Sequence, residues 1–133
     1  AIINLSLRTS NREHEVALAG AVADALAAGP IVVAAAPQAG SHWLPGALHG
    51  VVGVEADWTC PRDACEVDVR PDGTVRVRAS AFPRPIPGVP PARNFQGPSF
   101  AVANATGLIA LAIEGDSAGS GVPWFRGSGV REP

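Results

Sequence analysis

Two short apolar runs, Ile2–Leu7 and Ile31–Ala36, bracket a segment with helical periodicity. Apolar runs without in–out alternation suit strands buried on both faces of a sheet. Between them, Ser10-x-x-Glu13 has the form of a capping box. Val16, Ala19, Val22, Ala23 and Leu26 then recur at helical spacing from about Arg12 to Ala28, and Gly29 and Pro30 end the helix. Strand, helix, strand at this spacing predicts a right-handed crossover and parallel pairing. Val51–Glu55 reads as a third strand of the same α/β sheet.

The middle of the chain changes character. Cys65–Val69 and Thr74–Arg78 alternate in polarity around Arg70-Pro71-Asp72-Gly73, which predicts an added β-hairpin. Pro83–Pro91 holds five prolines in nine residues and is therefore extended and largely free of ladder bonds. Pro98–Glu114 is apolar and of helical length, with Pro98 where a missing N–H does no harm. Residues 1–114 make one domain, and 115–133 read as a glycine- and serine-rich tail that Trp124 and Phe125 dock onto the body.

Composition narrows the classes of partner. Ten basic residues, all arginine, against 12 acidic ones give a net charge of −2, which argues against nucleic acid or an anionic membrane. No apolar stretch near 18 residues escapes interruption by glycine, proline or charge, so no transmembrane helix is expected. The absence of methionine and the start in mid-strand suggest a fragment, a processed chain or one partner of a split fold.

The chemistry-bearing stretch is Gln96–Ala112, QGPSFAVANATGLIALA. A serine in the first turn of a buried helix, behind a glycine, has its hydroxyl and N–H at the positive helix end. Taken alone, such a serine reads as a cap. The order of the surrounding blocks says more. Asn4-Leu5-Ser6-Leu7, a helix, Val32-Val33-Ala34-Ala35-Ala36-Pro37-Gln38-Ala39-Gly40, then His49-Gly50-Val51-Val52-Gly53-Val54 and finally Gly97-Pro98-Ser99-Phe100-Ala101 follow one another. This resembles the C-terminal half of a subtilisin-like serine protease, over about residues 2–113. The family's blocks are N-[ML]-S-L, V-V-A-A-A-G-N-x-G, P-G-V-x-x-V and G-T-S-[MF]-A-x-P-x-x-x-G. The resemblance implies a doubly wound parallel sheet and peptide-bond hydrolysis without cofactor or metal.

By the same resemblance Ser99 is the nucleophile and Gln38 stands at the oxyanion-hole amide position. Ser6, Leu7, Arg8 and Thr9 match the edge that pairs with substrate backbone, Ala34, Ala35 and Ala36 the other wall of the main specificity pocket, and Gly97, which opens the nucleophile block, is counted with these substrate-binding residues. A peptide or protein substrate would bind as an added strand. The departures matter as much. The family's D-[ST]-G and H-G-T-H blocks are not in the chain, and His14, His42 and His49 do not fall on the base position. Gln38 is one methylene longer than asparagine, Pro98 replaces threonine, Ala103-Asn104 replaces Pro-x, and Arg8-Thr9 replaces Gly-Gly.

Two functional readings follow, with a purely structural half of a heteromer as a third. In the first, the chain is part of a protease whose Asp and His come from a complementary chain or upstream segment carrying the N-terminal half of the fold. In the second, it is a pseudoprotease that holds a peptide or precursor peptide for a partner enzyme. Elsewhere, Cys60 and Cys65 are open to three readings: a local disulfide, reduced thiols, or a zinc site completed by His49 or Asp57. Asp63, Glu66, Asp68 and Asp72 read as a solvated hairpin face.

Overall fold

A computed structural model describes residues 1–117 and 125–127. It is a mixed α/β fold in which a mostly parallel sheet of five strands carries one helix on each face. The strands are β1 (Ile2–Leu5), β2 (Ile31–Ala35), β3 (Val52–Asp57), β4 (Cys65–Val69) and β5 (Val75–Ser80); the helices are α1 (Glu15–Ala27) and α2 (Pro98–Ser117). A short β6 (Phe125–Gly127) lies beside β4, giving the order β1-β2-β3-β5-β4-β6. Pairing is parallel from β1 through β2 and β3 to β5, and antiparallel only between β5 and β4. The remainder of the expected tail, Trp124 included, lies outside the described residues.

The sheet's two faces divide its core. Val33, Ala35, Val54, Val77 and Ala79 pack with Ala101, Val102, Ala105 and Leu108 of α2. On the other face Val32, Ala34 and Val51 pack with Val22 of α1, flanked by Leu5 and Leu26. β2 is thus buried on both sides, which is why its sequence shows no alternation.

Several expectations need correction. Ser10 does not cap the first helix. Asn11 instead caps a 3-10 turn, Arg12–His14, its Oδ1 accepting from the Glu13 N–H at 3.0 Å, and α1 follows behind His14 with no side-chain cap of its own. The buried face of α1 is also shifted. Val16 is 86 % exposed and Ala23 is exposed, while Leu18, Val22, Ala25 and Leu26 turn inward. An alanine-rich helix offers too little contrast for apolar spacing to fix its rotation.

The hairpin is not an appendage. Its turn forms as expected, with Gly73 at φ +81° and Arg70 N–H bonded to Thr74 O at 2.9 Å. Its second strand then joins the main sheet as the parallel neighbour of β3. Finally, α2 is long and apolar enough to cross a membrane, with a mean hydropathy of 1.2 over Pro98–Gly115. Its glycines and single proline do not lower the hydropathy enough to exclude that. In this fold one side of α2 lies on the sheet, and Leu111 and Ile113 on the helix are exposed.

Candidate active site at the carboxyl ends of the strands

In parallel sheets, ligands bind beyond the carboxyl ends of the strands. Four features of the chain meet that edge: the segment after β1, the loop after β2, the end of β5 and the start of α2. Gly97 links the last two, because its N–H donates to Ala81 O at 2.9 Å. With φ at +147° it adopts a conformation that favours glycine. Its carbonyl accepts from Phe100 N–H at 3.1 Å and Ala101 N–H at 3.4 Å.

Counting the donors of the first turn isolates one of them. Gly97, Phe100 and Ala101 spend their N–H groups as described, and Pro98 has none. Ser99 is exposed, and among the described residues neither its N–H nor its Oγ has a hydrogen-bond partner. The start of α2 therefore offers one free backbone donor and one free hydroxyl on the same residue, at the positive end of a 20-residue helix. That pairing suits a nucleophile whose own amide receives the developing oxyanion.

Asn104 fixes the helix in place. Its Nδ2 donates to Ser80 O and to Phe82 O, both at 2.9 Å, and so ties the second turn of α2 to the end of β5. Sequence reading missed this role. The available signal was a lone asparagine inside an otherwise apolar helical run. Asn104→Ala would leave two partly buried carbonyls without their donor, and is expected to lower stability by about 2 kcal/mol, measured as a reduced denaturant midpoint with unchanged slope.

The other two features are cross-linked to each other. Thr9 and Leu44 exchange backbone hydrogen bonds of 3.0 and 2.9 Å, and the Arg8 guanidinium stands 3.6 Å over the Trp43 ring. Thr9 is fully committed, since its hydroxyl also accepts from Asn11 N–H at 3.1 Å. Leu7 and Arg8 make no backbone hydrogen bond among the described residues, and Leu7 is 84 % exposed. Ser6 Oγ donates to Asn4 Oδ1 at 3.0 Å. Leu5, Leu7, Leu18, Leu44 and Pro45, together with Arg8 and Thr9, line an apolar hollow of about 290 Å3.

Gln38 is exposed in the loop leaving β2. Its carbonyl accepts from both the N–H and the Oγ of Ser41, at 2.9 and 2.7 Å, which holds the backbone while the side-chain amide stays free among the described residues. Ala34, Ala35 and Ala36 are buried, so their side chains belong to the core below this loop. His14 and His49 are exposed. The Nε2 of His42 is shielded from solvent and lies 3.4 Å from Glu15 Oε2, out of line for a hydrogen bond. Among the described residues, no group of three or more His, Cys, Asp or Glu side chains is placed to hold a metal ion.

Comparison with protein-family models, curated proteins and solved structures gave no match to this chain.

Proposed function

We propose that the chain is the nucleophile-bearing part of a subtilisin-like serine endopeptidase. The peptide lies in extended form along Ser6–Arg8, whose Leu7 and Arg8 backbone groups are free to pair with it. Ser99 Oγ attacks the scissile carbonyl, and the oxyanion is received by the Ser99 N–H and the Gln38 amide. The hydroxyl proton passes to a histidine of the complementary chain or upstream segment, which an aspartate orients. The observation that carries this reading is the free N–H and free hydroxyl of Ser99 on a helix anchored by Gly97 and Asn104. A fluorophosphonate probe added to the full assembly is expected to label Ser99. No label at Ser99 removes the hydrolase reading.

A second reading is favoured by the Arg8–Trp43 stack, which fills an edge that the family keeps open with glycines. In it the groove binds a peptide without cleaving it. Peptide binding then survives Ser99→Ala, and turnover is absent from every assembly. Cleavage that disappears in that variant removes this alternative.

A further inference from the structure

β3 ends at Asp57 and the chain re-enters the sheet at Cys65. Asp57 organises the first half of the connection. Its Oδ1 accepts from the Thr59 N–H and hydroxyl, both at 2.7 Å, and from Cys60 N–H at 3.0 Å. The second half is the turn Pro61–Ala64, with Ala64 N–H donating to Pro61 O at 3.3 Å. Cys60 Sγ is folded into this turn, 3.5 Å from Pro61 O and 3.3 Å from Ala64 O, the carbonyl of the peptide bond leading into Cys65. Both cysteines are free, and both are among the residues lining one cavity of about 190 Å3. Cys60 is partly exposed, whereas Cys65 is 2 % exposed at the start of β4.

We propose that Cys60 and Cys65 form an oxidisable pair that closes into a local disulfide by exchange with a low-molecular-weight disulfide such as oxidised glutathione. The difference in burial orders the steps. The Cys60 thiolate attacks the external disulfide, forms a mixed disulfide and releases one small thiol. The Cys65 thiolate then attacks Cys60 Sγ, closes the intramolecular bond and expels the second small thiol. The two protons lost by the cysteines end on the two released thiols, and the external disulfide is reduced as the pair is oxidised.

Burial pushes both thiols up from their ordinary range. Asp57, Glu66 and Asp63 raise Cys60 further against the opposing pull of Arg78, and Cys60 raises Cys65. Only the thiolate attacks, so exchange accelerates as pH rises through and beyond the usual thiol range. The bond would fix the turn bearing Arg62 and Asp63, which line two larger cavities, one along α2 with Asn104 and Leu111, the other beneath the proline-rich segment with Phe82 and Val89. The inference does not depend on the protease reading.

The test incubates the full chain, reduced and freed of reductant, with oxidised glutathione, and follows thiol titration and intact mass. Both thiols are expected to disappear together, with a mass lower by two hydrogens and no lasting adduct. Cys65→Ala should stop at a glutathione adduct on Cys60, while Cys60→Ser should react at least about tenfold more slowly because Cys65 is buried. Two thiols still titratable in the wild type, a lasting glutathione adduct on it, or equal reactivity of the two variants would overturn the proposal.

Discussion

Gly46→Ala is expected to destabilise the fold by about 3 kcal/mol or more, read as a fall of roughly 10 °C in Tm. A Cβ built on Gly46 overlaps the Ala35 carbonyl oxygen and stands 2.7 Å from the Ala35 carbonyl carbon and 3.3 Å from the Ala36 Cα. These are backbone atoms at the buried end of β2, so no rotamer change can clear them. Relief requires moving the loop that carries Gln38 and closes on Thr9 through Leu44, and the candidate site moves with it. The control is the same substitution at Gly20, inside α1, where a Cβ meets nothing within 4 Å. There alanine should stabilise by about 0.5–1 kcal/mol, because it restricts the unfolded chain and favours helix. Equal effects at the two positions would show that the close approach of Gly46 to β2 is wrong.

Gly46 also illustrates why part of this fold escapes sequence reading. β2 was legible because burial on both faces writes itself as an unbroken apolar run, and Gly29-Pro30 marks the return from α1. The same rule overstated Ile2–Leu7, since β1 lies at the sheet edge with Asn4 exposed and none of its residues fully buried. The hairpin turn was legible because Arg70-Pro71-Asp72-Gly73 encodes its own geometry. Neither signal says which strand lies beside which. Alternation in Val75–Ser80 reports that one face is buried, and is silent on whether its free edge meets solvent or β3. The approach of Gly46 to Ala35, like the Thr9–Leu44 pairing, joins segments whose local sequences carry no mark of each other.

The candidate site divides in the same way. Ser99 stood out because glycine, proline and serine open an apolar run, which is a local pattern. Its anchor, Asn104, bonds to carbonyls more than 20 residues earlier in the chain. A helix-interior asparagine is unusual enough to flag, yet its partners become visible only when α2 lies across β5. The Arg8–Trp43 stack is a further case, since it joins two loops whose local sequences carry no mark of the contact.

On the protease reading, Ser99→Ala in the full assembly is expected to lower kcat on the order of a millionfold, the size found when a subtilisin-type nucleophile is removed. Gln38 provides the finer test. If its amide receives the oxyanion, Gln38→Ala should lower kcat by about a hundred- to a thousandfold with little change in KM, because the interaction is made only in the transition state. Ser41 holds the Gln38 carbonyl through two hydrogen bonds, so the loop backbone keeps its place when the side chain changes. Gln38→Asn then alters only the reach of the amide. A rise in kcat on shortening would mean that the extra methylene carries the donor past the oxyanion, while a fall would mean that this groove is shaped for glutamine. Turnover that persists in Ser99→Ala would end the assignment of Ser99 as nucleophile, whatever Gln38 does.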